Sequence, residues 1–185
     1  MNSSERLKIL IDSGKTVFKL SELQILWREN QLNTKISALR MLKKSLIIRI
    51  TKGYYALNYN YNIYELANLI IKPSYVSFNS ALSYKGLNFQ PRKEIDSVSL
   101  INYKKIINNV QYKYFSMKKE LFFNLEGVII RDNVSVACPE RAMLDCFYFG
   151  FLPDISNKEK LNITYLKKLS EIYPYTVQKK IKRFL

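Results

Sequence analysis

A chain of 185 residues holds one large domain or two small ones, and 48% apolar residues supply ample core. It carries 30 lysines and arginines against 15 aspartates and glutamates, a formal charge of +15, and no histidine. That excludes histidine-based acid–base and triad chemistry and makes nucleic acid the expected partner, although AT-rich coding DNA also favours lysine.

Ser3 or Ser4 can cap a first helix carrying Leu7, Leu10 and Ile11, which Gly14 ends. Val17-Phe18 reads as a short extended piece. Ser21 is placed to cap a second helix with Leu23, Leu26 and Trp27. Asn30 to Asn33 forms the turn, and Asn33 caps a third helix with Ile36, Leu39, Leu42 and Leu46 as its core stripe. Ile48, Ile50 and Tyr54 to Leu57 supply two strands around a Lys52-Gly53 turn. Helix, turn, basic helix and hairpin in that order predict a winged helix-turn-helix, which lays one helix in the DNA major groove.

Asn58-Tyr59-Asn60-Tyr61-Asn62 is low in complexity and reads as a linker. Helices follow at about 63–71 and 77–85, separated by Pro73, and then the loop Phe89-Gln90-Pro91-Arg92. Residues 95–107 and 110–117 have strand character, and 127–131 with 134–137 reads as a hairpin around Asp132-Asn133. Pro139 opens a helix running to Gly150. The last two helices, about 164–173 and 174–184, carry basic outer faces. The expected fold is α+β: a winged helix-turn-helix at 1–57, a linker at 58–62, and at 63–185 a mixed domain with a small sheet and helices. Residues 1–57 carry +7 and the remainder +8, so the second half is no acidic DNA mimic.

On a wheel of 100° per residue, Thr34, Ser37, Arg40, Met41 and Lys44 fall opposite the assigned core stripe of the third helix. That face combines a fork donor, hydroxyls and a methyl-bearing side chain, the chemistries that read base edges. Lys35 and Lys44 border it and, with Lys52 on the hairpin, suit phosphates. The partner expected on this ground is double-stranded DNA.

Cys138 and Cys146 fit no metal spacing and read as buried cytosolic thiols. No apolar run reaches the ~18 residues that span a membrane, and the N-terminus leads into an amphipathic segment, so a cytoplasmic protein without a membrane partner is expected. An enzyme is not expected. Glu140 and Asp145 lie about 140° apart on one helix and do not converge. The adjacent Glu159 and Lys160, near Asp154, cannot share one face of a strand. The five glycines are isolated, so no phosphate loop exists. No metal or cofactor is anticipated.

Three segments carry a likeness to a known family. They are Lys52-Gly53-Tyr54-Tyr55-Ala56-Leu57, the stretch from Lys72-Pro73-Ser74-Tyr75 to Gly86-Leu87, and Cys138-Pro139-Glu140-Arg141-Ala142-Met143-Leu144-Asp145-Cys146. Together they resemble the AbiEi-type antitoxins of bacterial type IV toxin–antitoxin (abortive infection) systems, over about residues 5 to 150. Cys138 stands where that family usually has Ser, and Lys85 where many members have His. The resemblance implies a bifunctional protein. Its winged domain would bind inverted repeats in its own promoter and repress transcription. Its C-terminal domain would counteract a cognate AbiEii-type nucleotidyltransferase toxin, a functional rather than a stable physical partner. Within that domain, Arg141 and Asp145 form an i,i+4 pair, read first as a structural polar network. Lys167, Lys168, Lys179 and Lys180 form a basic surface that could meet nucleic acid. The alternative reading is a DNA-binding regulator with no toxin partner.

Overall fold

Asn2 opens the first helix, α1 (Ser3–Asp12). Its side-chain oxygen accepts the Glu5 N–H at 2.9 Å while the Glu5 carboxylate accepts the Asn2 N–H at 2.9 Å. The reciprocal pair starts the helix one residue before the serines, which lie inside it. The computed structural model describes residues 1–87 and 93–184, so the expected loop at Phe89 to Arg92 lies outside the described residues. Two compact units divide the chain, Met1–Leu69 and Ile70–Leu185. The chain is mixed α+β, as the residue pattern predicts.

In the first unit α1 is followed by β1 (Val17–Lys19), α2 (Leu20–Trp27), α3 (Gln31–Lys43), β2 (Ile48–Thr51), β3 (Tyr54–Ala56) and α4 (Ile63–Ile70). β3 lies between β1 and β2, antiparallel to both, and Gly53 turns the β2–β3 hairpin with φ +83°. Both helix starts come earlier than the sequence suggests. α2 begins after Lys19, whose N–H reaches the Glu22 carboxylate at 3.0 Å, so Ser21 lies inside the helix. Asn30, not Asn33, caps α3 by accepting the Asn33 N–H at 2.9 Å. Leu10, Phe18, Leu23, Trp27, Ala38, Met41, Ile47 and Tyr55 form one core.

α4 belongs to this unit. Glu65 is buried and accepts from the Thr16 N–H at 2.9 Å and its hydroxyl at 2.6 Å, and that hydroxyl accepts the Asn62 N–H at 2.9 Å. The division therefore falls at the last residue of α4, between Leu69 and Ile70, past the Asn/Tyr segment at 58–62 that low complexity marks as a linker.

The second unit contains β4 (Ser74–Val76), α5 (Phe78–Tyr84), β5 (Glu94–Ser99), β6 (Tyr103–Ile107), β7 (Val110–Ser116), α6 (Lys119–Phe123), β8 (Val128–Arg131), β9 (Val134–Ala137), α7 (Pro139–Phe149), α8 (Ile163–Ser170) and α9 (Tyr175–Phe184). The sheet has six strands in the order β6-β7-β5-β4-β9-β8, larger than the small sheet expected. Two features were not legible. β4 is a three-residue strand hidden between two helices, and residues 95–107 break into β5 and β6. The β8–β9 turn is as the sequence reads it, with Asp132 and Asn133 both left-handed at φ 51° and 61°. α5 packs on α7 and β5, and α7 also packs on α8 and α9, which makes α7 the central helix of this unit.

Candidate nucleic-acid interface

α3 turns a different face inward from the one its aliphatic residues suggest. Thr34, Ser37, Ala38 and Met41 are buried, at 0%, 6%, 0% and 0% exposure. Leu32, Ile36 and Leu39 stand outside at 67%, 38% and 53%. Leu42 and Leu46 pack partly against the core. The reason is close packing. Thr34, Ser37, Ala38 and Met41 recur at i, i+3, i+4 and i+7, and three are small, so α3 can seat deeply on α2 and the core. Thr34 loses nothing by burial, because its hydroxyl donates to the Asn30 carbonyl at 2.8 Å.

Three of the residues expected to face DNA are therefore corrected. Thr34, Ser37 and Met41 are core residues and cannot reach a base. Lys35 and Arg40 are exposed on α3, Lys44 is exposed just past its end, and Lys52 is exposed at the hairpin tip. Lys44 also donates to the Ser3 hydroxyl at 3.3 Å. Lys43 on the outward line of α3 and Arg49 on β2 are exposed cations that hydrophobic periodicity did not single out. The Thr34–Ala38–Met41 spacing was the available signal, since it is as regular as the aliphatic one.

A cleft of about 240 Å³ lies between the hairpin tip and the starts of α2 and α3. Lys19, Ser21, Gln24, Gln31 and Lys52 line it, so two ammonium groups share its rim with hydroxyl and amide donors. Lys19 also stands 5.9 Å from the Tyr54 ring centroid. The donor set suits an anionic oxygen.

The second unit gathers its polar chemistry inside. Arg141 and Asp145 are fully buried, with Nε 3.5 Å from Oδ1. Asp145 accepts from the hydroxyls of Ser77 at 2.6 Å, Tyr173 at 2.6 Å and Tyr75 at 3.1 Å. Arg141 donates to the carbonyls of Asn124 (3.0 Å), Glu126 (3.1 Å) and Leu121 (3.0 Å), and to the Tyr75 oxygen at 3.2 Å. Its guanidinium lies over the rings of Tyr173 and Tyr75 at 5.2 and 5.6 Å. Burial pushes the Asp145 carboxyl above its ordinary value, and Arg141 with the three hydroxyls pulls it back. Burial also holds both phenols well above 10.0.

Cys138 caps α7 through sulfur, accepting the Arg141 N–H at 3.4 Å. Burial raises its thiol to about 12. Glu140 turns away from Asp145 and accepts the Asn162 N–H at 2.8 Å, so the two carboxylates do not converge. Gly127 closes the network at φ +78°, where a Cβ would come within 3.0 Å of the Arg141 Cβ. Tyr75 and Ser77 lay in a motif legible in the sequence. Tyr173 did not, because nothing in the chain near it signals a partner 28 residues away.

Lys167, Lys168, Lys179 and Lys180 are exposed. Lys167 lines a cleft of about 430 Å³ between α8 and α9 with Glu171, Gln178 and Lys182. Lys180 donates to the Phe147 carbonyl at 2.8 Å. Among the described residues no group of His, Cys, Asp or Glu could hold a metal ion, and no helix is long and apolar enough to cross a membrane. No protein-family model matches this chain, and a search of the curated proteins gave no match.

Proposed function

We propose that the chain is an antitoxin and transcriptional autorepressor of the AbiEi kind. Residues 1–57 act as a winged helix-turn-helix on double-stranded DNA, and the second unit counteracts a nucleotidyltransferase toxin. The observation that supports the DNA-binding part is the α1-β1-α2-α3-β2-β3 order with β3 in the middle of its sheet. In that arrangement α3 is the recognition helix, and its exposed cations, Lys35, Arg40 and Lys43, act together with the exposed Lys52 of the wing as phosphate and base contacts. The cleft between Lys19 and Lys52 receives a backbone phosphate.

The antitoxin part draws on the two motifs that carry the resemblance. Tyr75 and Ser77 of one hydrogen-bond to Asp145 of the other. Residues 70 and 68 positions apart thus build one buried element, and their joint occurrence is a mark of fold rather than an exposed catalytic apparatus. The toxin is opposed without a chemical step by this chain.

The test has two parts. The full chain should protect inverted repeats upstream of its own gene from nuclease cleavage. Co-expression should restore growth to cells making the nucleotidyltransferase encoded beside it. Protection without rescue leaves a regulator with no toxin partner, and absence of both removes the proposal.

A further inference from the structure

The outward line of α3 combines two chemistries that one ligand satisfies together. At 100° per residue, Leu32, Ile36, Leu39 and Lys43 fall within a sector of about 60°, and Lys35 and Arg40 flank it on opposite sides. The three aliphatic side chains are exposed, at 67%, 38% and 53%. A row of exposed aliphatic groups marks a contact surface, and cations along both flanks select a polyanion. The duplex major groove offers phosphates on its rims and one apolar group on its floor, the C5 methyl of thymine. Leucine and isoleucine have no donor or acceptor with which to read the other base edges.

We infer that the outward face of α3 selects duplex DNA by the 5-methyl groups of its pyrimidines. Leu32, Ile36 and Leu39 pack on the methyls, while Lys35, Arg40 and Lys43 meet the flanking strands. The inference rests on the DNA-binding reading above and adds the feature of the duplex that is recognised. A second copy of the chain fits the stripe poorly. Two-fold pairing of α3 on itself would bring Lys35, Arg40 and Lys43 of each copy against the same cations.

The test changes the DNA rather than the protein. The full chain is titrated, at salt near physiological, with an alternating A/T duplex and with the same duplex carrying deoxyuridine for thymidine. It is also titrated with an alternating G/C duplex and its 5-methylcytosine form. One methyl buried against an aliphatic side chain changes Kd by about fourfold. Replacing thymidine should therefore weaken binding by at least about tenfold, and methylating cytosine should tighten it several-fold. The inference requires both shifts. The triple variant L32A/I36A/L39A, made at exposed positions where Ala favours the helix, should lose both methyl effects and bind each duplex and its methyl-altered form alike. Equal Kd values for thymidine and deoxyuridine duplexes overturn the methyl inference while leaving DNA binding intact. Failure to bind any duplex, even at low salt, removes the DNA-binding reading as well. Sedimentation of the free chain as a dimer that the triple variant dissociates would assign the stripe to self-association and also overturn the inference.

Discussion

Arg141 and Asp145 face each other one turn apart on α7, Nε 3.5 Å from Oδ1, and neither side chain reaches solvent. Around the pair, hydroxyls from β4, from the residue after it and from beyond α8 turn toward the carboxylate, while the carbonyls of Leu121 in α6 and of Asn124 and Glu126 just after it take the guanidinium. The network therefore ties three stretches of the second unit, 75–77, 121–126 and Tyr173, to its central helix.

Removing one partner of such a pair leaves an uncompensated buried charge. Arg141→Met should destabilise the second unit by about 3–5 kcal/mol. Arg141→Lys should recover little, because one ammonium cannot replace a planar fork serving acceptors on three sides. The only tryptophan, Trp27, reports the first unit alone, so urea unfolding should shift in the tyrosine near-ultraviolet signal and leave the tryptophan transition in place. A shift of Trp27 with no change in the tyrosine signal would contradict this.

The pH dependence of stability should appear on the alkaline side. The Cys138 thiol lies at about 12 in the native state against an ordinary 9.0, and the Tyr75 and Tyr173 phenols are held well above 10.0, all because burial disfavours the charged form. These groups keep their protons when folded and lose them when unfolded. Unfolding therefore releases protons, and stability falls as pH rises through the ordinary thiol range and on through the ordinary phenol range. Thermal scans between neutral pH and pH about 11 should show a falling Tm. At pH about 8 iodoacetamide should label Cys138 and Cys146 slowly in the native protein and rapidly in urea, since Cys146 is fully buried. Cys138 is half-buried, and its fast native labelling would show that its thiol is not raised.

The first unit should need α4. A fragment ending at Leu69 keeps Glu65 on Thr16 and the buried Leu66, Ala67 and Leu69. A fragment ending at Asn62 loses all of these and leaves the Thr16 N–H without its carboxylate. The longer fragment should give one cooperative transition by Trp27 fluorescence, and the shorter one should be weaker by several kcal/mol. In the full chain, Glu65→Ala should cost about 1–3 kcal/mol for the same reason. Equal stability of the two fragments would put the boundary back at the Asn/Tyr segment.

How much of this was legible depended on whether the signal was local. Glycine and asparagine turns were read correctly at Gly53 and at Asp132-Asn133, because left-handed backbone geometry is written in single residues. Proline at the start and glycine at the end of α7 marked both of its limits. Along α3 and just past its end hydrophobicity and burial part company: Thr34, Ser37 and Met41 face inward and Ile36 and Leu39 outward, against the pattern, while Leu42 and Leu46 pack on the core and Lys35, Arg40 and Lys44 stand outside, as it predicts. Small side chains win the interior by allowing close approach, and larger aliphatic ones are left outside. β4 escaped because a three-residue strand has too little pattern to register. The partners of Asp145 come from places far apart in sequence, and only the resemblance pointed to two of them.

The basic surface of α8 and α9 should be separable from the fold. Replacing Lys167, Lys168, Lys179 and Lys180 together with Gln removes four exposed charges. Such changes usually shift stability by only about 0.5 kcal/mol each. Lys180 is the exception to watch, because it donates to the Phe147 carbonyl. If this surface contacts flanking DNA, the promoter footprint should shorten and the salt dependence of binding should flatten, while the core operator stays protected. If it takes part in opposing the toxin, growth rescue should weaken with the footprint unchanged. Full rescue with an unaltered footprint would leave the surface without either role.

The two faces of α3 should respond to mutation in opposite ways. Met41 lies at 0% exposure in the core, so Met41→Ala should cost about 2–5 kcal/mol of stability. It should weaken DNA binding only to the extent that the unit unfolds. Arg40 is exposed on the outward flank, so Arg40→Ala should leave the Trp27 transition unchanged and cost about 1–3 kcal/mol on the operator if it reads a base edge. Lys52→Ala at the hairpin tip should weaken operator and random DNA equally and lower the salt slope by about one, as loss of a single phosphate contact requires. Binding isotherms on operator and random duplexes at several salt concentrations, run beside urea unfolding of each variant, distinguish the three. If Met41→Ala left stability intact and changed base preference, α3 would have to present the face that Thr34, Ser37 and Met41 share. If Arg40→Ala weakened both DNAs alike, Arg40 would be a second phosphate contact, and base selection would fall to its aliphatic neighbours Ile36 and Leu39.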